Sequence, residues 1–483
     1  MVRTRMAPSP TGQYHIGHIR TLLYNFAFAK KNGGRFIIRV EDTDRERYVD
    51  GAVERILAVI KDYGLVWDEG PDVGGPYGSY VQSERLKIYK KYALELVEKG
   101  FAYYCFCSKE RLEEVRKDCN IKHKIPKYDR HCLNIPLEEA KKRASKEQFV
   151  IRLKIPDNED LEYNDLVMGK VSINSENLDD QVLLKSDGFP TYHLAVVIDD
   201  HLMKITHIIR GSEWISSTPK HILLYKYLGW QMPQTAHIPV FLDPAGKGKM
   251  SKRRGSVSAR SFLDEGYLPE ALLNFIALLG WTHPGGREIF SLDEFIKVFD
   301  IKDVNKSNPV FDYDKLNYFN GYYIRKMSNE ALYDRLIKFD PDLKNVDKER
   351  LKKIIALEKE RLKTLGEFKE NTKFFFMDFK TDTPTFKALL VPAGRTSEEI
   401  LNHLTNLVDL FSNTKPWNLE NLKKFEEKLR SRAKELGWKV IDVFLPIRVA
   451  VTGSLVSPPL FESMEILGKE KTLERITKCL KSL

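Results

Sequence analysis

Cysteine is scarce in this sequence, with five residues among 483. An odd number argues against a disulfide framework and favours a reducing compartment. The sequence also lacks any run of about 18 apolar residues, which argues against a transmembrane helix. The first residues, MVRTRMAPSPTG, lack the apolar segment of a signal peptide. We therefore expect a cytoplasmic protein.

Two common nucleotide-binding motifs are also missing. No G-x-G-x-x-G follows a strand-like segment, and no G-x-x-x-x-G-K-[ST] occurs. These absences argue against a dinucleotide-dependent dehydrogenase and against a P-loop enzyme.

Positive charge is in excess, with a formal net charge of +10. Such an excess favours a polyanionic partner, because neutralising phosphates releases counterions. A basic surface with no specific partner is the alternative. The length predicts three or four domains at roughly 100–200 residues each.

The first residues have the pattern of a βαβ unit. Residues 2–7 are strand-like, residues 16–31 have apolar side chains at helical spacing, and RFIIRVED is again strand-like. This order predicts a parallel sheet, in which ligands bind beyond the carboxyl ends of the strands. Those ends fall at Ala7–Thr11 and Glu41–Asp44.

The rest of the chain changes character twice. Residues 80–185 contain the cysteine cluster and separate strands, so we expect an insertion in the first domain. After about residue 260 the pattern is mostly helical, with helices predicted over 351–368 and in EEILNHLTNLVDLF. In the latter, Leu401, Leu404, Val408 and Phe411 share one face.

The tetrapeptide HIGH, His15–His18, stands at the predicted start of the first helix. Two imidazoles near a helix N-terminus can donate hydrogen bonds to phosphate oxygens, and Gly17 would let a base or ribose approach the backbone. A metal-binding pair and two surface histidines are the alternatives.

The stretch KGKMSKRRGS, residues 247–256, places five basic residues among ten. Lys249 and Lys252 can reach triphosphate oxygens, and Ser251 can add a hydroxyl contact. A solvated basic loop is the alternative for this stretch taken alone.

Taken together, five segments identify a family. HIGH, KMSKR, the APSPTG turn, RVEDTD and LLKSDGFPTYHLA occur in an order and spacing that resemble bacterial-type glutamyl-tRNA synthetases, which are class I aminoacyl-tRNA synthetases. The resemblance covers essentially the whole chain. It implies an α/β Rossmann-like parallel-sheet catalytic domain with an α+β insertion, followed by an all-α anticodon-binding region.

The same resemblance implies domain boundaries. The catalytic domain would comprise 1–79 and 186–255, the inserted acceptor-binding domain 80–185, the stem-contact domain 256–322, and the helical region 323–483, in two subdomains.

The resemblance further implies an activity and its residues. The enzyme would activate L-glutamate with ATP and Mg²⁺ and transfer it to tRNA-Glu. The residues implied for catalysis and ATP binding are Ser9, His15, Gly17, His18, Glu213, Trp214, Lys249, Ser251 and Lys252. Those implied for glutamate are Arg5, Ala7, Ser9, Glu41, Tyr192 and Arg210. Those implied for the anticodon are Arg361, Arg448, Ser457 and Leu460.

Some members of the family hold zinc in the insertion. Here Cys105, Cys107, Tyr128 and Cys132 match one version of that site, C-x-C followed by Y-x-x-x-C, whereas Asn134 departs from another version that ends in histidine. Tetrahedral zinc fits such a set. His131 and Cys119 are rival fourth ligands, and free buried thiols are the alternative to any metal.

Three alternatives to a tRNA-Glu enzyme are open. A non-discriminating enzyme would also charge tRNA-Gln. A catalytically inactive tRNA-binding protein would have no reason to keep both histidines and both lysines. A general RNA-binding scaffold would explain the charge but not the two motifs. The resemblance also implies a monomer.

Overall fold

The structure is a computed structural model that describes residues 1–12, 14–122, 126–248, 250 and 258–483. The chain forms two compact units. Unit 1 comprises Met1–Phe262 and Pro269–Tyr313, and unit 2 comprises Leu263–Leu268 and Asp314–Leu483. The hexapeptide 263–268 therefore belongs to unit 2, although it lies between two parts of unit 1 in the sequence.

Unit 1 begins with the βαβ unit that the sequence predicts. Strand β1 (Arg3–Met6) pairs in parallel with β2 (Arg35–Ile38), and helix α1 (Ile16–Lys31) connects them. Gly34 is required at the start of β2, because a Cβ there would lie 2.2 Å from the carbonyl oxygen of Val2. The turn before β2 is therefore closely packed against the chain that leads into β1.

A second parallel pair lies next to β1. Strands β8 (His207–Gly211) and β9 (Gln234–Ile238) run in parallel, and the Thr206 N–H before β8 donates to the Arg3 carbonyl over 2.9 Å. Asn25 of α1 holds this arrangement together, because its side chain donates to the Ile209 carbonyl over 3.0 Å. The carboxyl ends of these strands therefore meet at one edge, as parallel sheets with nearby ligand sites do.

The remaining strands form antiparallel ladders. Strands β3, β4 and β7 make a three-stranded sheet, and β5 pairs with β6 while also meeting β9 at Asp165 and Thr235. Their bounds are β3 (Ala102–Cys105), β4 (Val150–Leu153), β5 (Asp160–Asp165), β6 (Gly169–Asn174) and β7 (Val182–Leu184). Unit 1 also contains the helices α2 (Ala52–Asp62), α3 (Leu86–Glu98), α4 (Lys109–Ile121), α5 (Leu137–Ala144), α6 (Tyr192–Leu202), α7 (Thr218–Leu228), α9 (Pro269–Ala277) and α10 (Leu292–Val298).

Unit 2, every residue of which the structure describes, is helical. Its helices are α12 (Asn329–Phe339), α13 (Lys348–Glu358), α14 (Glu367–Thr372), α15 (Pro384–Leu390), α16 (Ser397–Ser412), α17 (Leu419–Leu436), α18 (Val440–Thr452), α19 (Leu460–Leu467) and α20 (Lys469–Leu480). Two more helices, α8 (Ala259–Asp264) and α11 (Tyr313–Lys326), contain points at which the chain passes between the units.

Two predictions for unit 2 were wrong in detail. The helix predicted over 351–368 is interrupted between α13 and α14, where the Leu365 N–H donates to the Gly266 carbonyl over 3.0 Å instead of to its own helix. In α16 the predicted stripe is rotated: Leu404 and Phe411 are buried, but Leu401 is exposed and Ile400 takes its place in the core.

The hexapeptide 263–268 is held tightly within unit 2. Besides the Leu365 bond, the Leu268 N–H donates to the Asn320 side chain over 2.8 Å. A Cβ on Gly266 would lie 2.4 Å from the Gly366 nitrogen, and one on Gly366 would lie 2.7 Å from the Glu265 carbonyl oxygen. The two backbones therefore approach as closely as only glycine permits.

Across the described residues, no helix has the length and apolar character needed to cross a membrane.

Candidate functional site

A cavity of about 600 Å³ opens in unit 1, at the edge where the parallel strands end. Every described residue that the resemblance implies for catalysis, ATP or glutamate lines it. These residues are Arg5, Ala7, Ser9, His15, Gly17, His18, Glu41, Tyr192, Arg210, Glu213 and Trp214. Segments that are far apart in the sequence thus contribute to one concave surface.

The HIGH tetrapeptide caps helix α1 with its own imidazoles. The Nδ1 atom of His15 accepts a hydrogen bond from the Gly17 N–H over 2.9 Å, and the Nδ1 atom of His18 accepts one from the His15 N–H over 3.4 Å. Because both Nδ1 atoms accept, the proton of each neutral ring lies on Nε2, where it can be donated. A Cβ on Gly17 would lie 3.1 Å from the His15 Nδ1, so glycine also leaves room for this cap.

The second motif is described only at Met250. Lys249, Ser251 and Lys252 lie outside the described residues. Met250 is buried, lines the cavity, and its N–H donates to the Phe241 carbonyl over 3.0 Å. After the motif, the Ala259 N–H donates to the Tyr14 carbonyl over 2.8 Å. Met250, between the two lysines, therefore lines the same cavity as the HIGH tetrapeptide, and the chain after the motif lies beside it.

Arg5 belongs to a buried charge network beneath the cavity. Its Nε is 3.0 Å from Asp200, and Asp200 also accepts from Arg39 over 2.6 Å. Arg39 in turn donates to Glu41 over 2.9 Å. Burial raises the pKa of Glu41, which Arg39 opposes, while burial would lower the pKa of Arg5, which Asp200 more than offsets. The same network contains Asp199, which pairs with Arg85 over 2.8 Å.

Arg210 has a different environment, although it is also buried. Its Nε donates to the imidazole of His237 over 3.0 Å, its Nη1 to the Tyr192 hydroxyl over 3.1 Å, and its Nη2 to the Thr218 hydroxyl over 2.9 Å. All of these acceptors are neutral. The network around Arg5 balances three guanidinium groups with three carboxylates when all are ionised, whereas Arg210 makes no ion pair with a carboxylate of the described residues.

Three of the five thiols meet in the insertion. The sulfur atoms of Cys105, Cys107 and Cys132 lie within 4.8 Å of one another. The Tyr128 hydroxyl is 3.3 Å from the sulfurs of both Cys105 and Cys107. Three sulfurs and one phenolic oxygen around a single point fit the donor chemistry of a tetrahedral zinc site. Among the described residues, Cys119 and His131 lie outside this group.

Unit 2 brings together the residues that the resemblance implies for the anticodon. Arg361 donates to the Ser457 carbonyl over 2.6 Å, and Arg448 donates to the same carbonyl over 3.2 Å and to the Ser457 hydroxyl. Leu460 begins helix α19 just beyond this turn. Burial and the neighbouring Arg361 lower the pKa of Arg448. Two cations thus share one neutral carbonyl.

Several polar residues around the cavity were missed by sequence reasoning. These residues are buried and hydrogen-bond to residues that line the cavity or to each other: Asp200, Arg39, His237 and Asp165. A signal existed for one of them, Asp200, because Asp199 and Asp200 directly follow the apolar run LAVVI, and a charged pair in a buried helix needs partners. His237 and Asp165 had no comparable signal.

A histidine-capped helix at the carboxyl edge of a parallel sheet, with Met250 of the second motif lining the same cavity, is typical of class I aminoacyl-tRNA synthetases. The family of the "tRNA synthetases class I (E and Q), catalytic domain" matches residues 1–318, and the "Anticodon binding domain" family matches residues 331–480. The chain belongs to the class I tRNA synthetases of the glutamate and glutamine group.

Curated relatives and solved structures agree with this assignment. The chain is 44% identical to a glutamate–tRNA ligase of Finegoldia magna, with 99% of each chain covered, and 44% identical to one of Borreliella afzelii, with 98% and 97% covered. A crystal structure of a glutamate–tRNA ligase from Elizabethkingia meningosepticum in complex with its amino acid is similar, with a TM-score of 0.85, 38% identity, and coverage of 100% of this chain and 99% of that one.

Proposed function

We propose that this chain is an enzyme that joins glutamate to tRNA. It activates L-glutamate with ATP to form glutamyl-adenylate and pyrophosphate, and then transfers the glutamyl group to the 3′ end of tRNA-Glu. Attack of the glutamate α-carboxylate on the α-phosphorus of ATP breaks the bond to pyrophosphate. Such a reaction depends mainly on placing the reactants in line and on stabilising charge.

Arg210 is the observation that carries the choice of glutamate. A buried guanidinium in the cavity, bonded only to neutral acceptors, has its electrostatic demand met by an anionic ligand. Glutamate brings a side-chain carboxylate, and glutamine does not. Arg5, in contrast, is paired with Asp200, so the charge of Arg210 is the one we assign to selection between the two amino acids.

The other cavity residues have separate roles in the proposal. Glu41 faces the substrate ammonium, with Ser9, Ala7 and Tyr192 completing the amino-acid side. His15 and His18 donate from Nε2 to phosphate oxygens, and Gly17, Glu213 and Trp214 line the nucleotide side. Lys249, Ser251 and Lys252 contact the phosphates, with Mg²⁺ accompanying ATP and held mostly by phosphate and water.

Pyrophosphate exchange tests the proposal. With ATP, tRNA-Glu and glutamate, we expect exchange, and with glutamine in place of glutamate we expect at least a hundredfold lower kcat/KM, on the order of one lost charge-assisted contact. The assay includes tRNA because members of this family generally need it for activation. No exchange by the folded chain would overturn the enzyme function in favour of an inactive tRNA-binding protein.

The insertion is proposed to hold one structural zinc ion. Cys105, Cys107, Cys132 and Tyr128 would be its ligands, and the ion would fix the turn that contains Tyr128 to strand β3. The clustering of three thiols in a chain whose described cysteines are all free supports this proposal.

The helical unit is proposed to read the anticodon through Arg361, Arg448, Ser457 and Leu460. Arginine can pair with or stack on splayed anticodon bases. Whether the enzyme also charges tRNA-Gln is decided by adding purified tRNA-Gln to the same assay, and we propose tRNA-Glu as the preferred substrate. We further infer a cytoplasmic monomer, because one chain supplies both units and its free thiols suit a reducing compartment.

A further inference from the structure

His237 lies between a buried carboxylate and the guanidinium of Arg210. Its Nδ1 is 2.7 Å from Asp165, and its Nε2 accepts from the Nε of Arg210 over 3.0 Å. All three side chains are buried, and His237 is fully so. Asp165, His237 and Arg210 therefore form a continuous chain from the end of strand β5, through β9, to β8.

The hydrogen bonds of Asp165 fix the protonation state of His237. The carboxylate also accepts from the backbone N–H groups of Val167, Met168 and His237, at 3.1, 3.0 and 3.0 Å. Burial opposes ionisation, but these bonds and the imidazole lower the pKa of Asp165 to about 2. Nε2 accepts from Arg210 and therefore carries no proton, so the proton of the ring lies on Nδ1, facing Asp165; burial lowers the pKa of His237, although Asp165 opposes this.

A neutral imidazole in this tautomer is well suited to hold an arginine. Its Nε2 lone pair can accept from Arg210 without cancelling the positive charge, whereas a carboxylate in the same place would neutralise it. The other two nitrogens of Arg210 are bonded to the Tyr192 and Thr218 hydroxyls, so His237 is the acceptor for Nε among the described residues.

We propose that Asp165 and His237 position Arg210 for the glutamate carboxylate, with Asp165 orienting the imidazole and His237 holding the guanidinium. This inference rests on the proposed function. His237 acts through Arg210 and is a positioning residue, so its loss affects glutamate affinity more than nucleotide affinity or the rate of the chemical step.

Two substitutions distinguish the hydrogen bond that His237 makes through Nδ1 from the one that it makes through Nε2. In His237→Gln the terminal amide oxygen can reach the place of Nε2 and accept from Arg210. In His237→Asn the shorter amide can still donate to Asp165 from the place of Nδ1 but leaves the Arg210 Nε without an acceptor. In both variants Asp165 keeps its three backbone donors. His283→Gln is the matched control, because His283 is another buried histidine of unit 1 that pairs with a carboxylate, Glu294, over 3.2 Å.

Steady-state pyrophosphate exchange with glutamate, ATP and tRNA-Glu tests the proposal, with circular dichroism confirming that each variant is folded. For His237→Asn we expect KM for glutamate to rise about ten- to a hundredfold, the loss of one hydrogen bond to a charged group, with KM for ATP and kcat changed less than threefold. For His237→Gln we expect the rise in KM for glutamate to be at most half of that in His237→Asn on a logarithmic scale. His283→Gln should leave both KM values unchanged.

Different failures have different meanings. Equal rises in KM for ATP and for glutamate, or equal losses in the Asn and Gln variants, would overturn the positioning role and leave the enzyme function intact. No glutamate-dependent exchange by the unsubstituted chain would instead overturn the proposed function, on which the role of His237 depends.

Discussion

At the residue scale, two buried histidines, His221 and His237, contact Arg210, and the half-buried His193 contacts His221. His193 and His221 lie 3.1 Å apart, with His221 3.5 Å from the Nη1 of Arg210. Burial lowers the pKa of His193 to about 3 and lowers the pKa values of His221 and His237, and the nearby cations lower them further. These rings are therefore neutral in the folded protein at pH values where an unfolded chain would protonate them.

This difference predicts acid sensitivity. Well above pH 6.5 these rings are neutral in both the folded and the unfolded protein, so they contribute nothing to the pH dependence of stability. Below that pH the unfolded chain binds protons that the folded chain does not, so the free energy of unfolding falls by at most about 2 kcal/mol per histidine between pH 7 and pH 5. Urea unfolding at the two pH values measures this loss.

A variant pair isolates one histidine in that measurement. His193→Gln removes a half-buried ring whose pKa is lowered and should reduce the pH dependence, with His131→Gln, at an exposed position, as the matched control. An unchanged pH dependence in His193→Gln would show that the folded protein protonates this ring after all.

Sequence reasoning found the residues that line the cavity but not those that support them. Arg5, Glu41 and Arg210 stand near strand ends, where the parallel-sheet pattern predicts ligands. Asp200 and His237 depend on which buried strand and helix face each other, and no local pattern encodes that pairing.

At the scale of elements, helix α1 was predicted with its correct bounds because both of its ends carry local signals. Its cap is made by the side chains of HIGH, and the glycine pair after it ends the helix. The interruption between α13 and α14 was not predictable, because its cause is a backbone bond to Gly266, which is distant in the sequence.

The cysteine cluster brings strand β3 and a turn of the insertion together around the proposed zinc site. The zinc content of the purified protein can therefore be predicted. We expect about one zinc per purified chain, because three thiolates and a phenol complete a tetrahedral set. Cys107→Ser should lose the zinc, and a chelator should lower the melting temperature of the unsubstituted chain. Elemental analysis and thermal melts measure these effects.

Cys119→Ser provides the matched control for zinc. Cys119 is half-buried on α4 and lies outside the cluster. The variant should keep its zinc. Equal loss of zinc from Cys107→Ser and Cys119→Ser, or no zinc in the unsubstituted chain, would contradict the proposed ligand set.

At the scale of the whole molecule, the proposed recognition of the amino acid and of the anticodon is assigned to different units. Arg361 donates to the Ser457 carbonyl within unit 2 and lies 3.6 Å from Glu358. Arg361→Ala should therefore change the ratio of charging between tRNA-Glu and tRNA-Gln about tenfold, on the order of one base contact, while KM for glutamate changes less than twofold.

The control for this prediction is an ion pair elsewhere in unit 2. Arg395→Gln removes a side chain that pairs with Asp442 over 3.2 Å and should leave the charging ratio unchanged. If Arg361→Ala alters KM for glutamate and leaves the ratio between the tRNAs untouched, its assignment to the anticodon is wrong.

The hexapeptide 263–268 limits how this molecule can be recombined with its relatives. A hybrid made at one junction, near residue 320, would combine the helical unit of one parent with residues 263–268 of the other. Residues 263–268 contact Gly366 at a point where no Cβ fits, so a parent with alanine in place of Gly266 would force the two backbones apart. We therefore expect functional chimaeras to need two exchanges, so that residues 263–268 come from the same parent as the helices of unit 2.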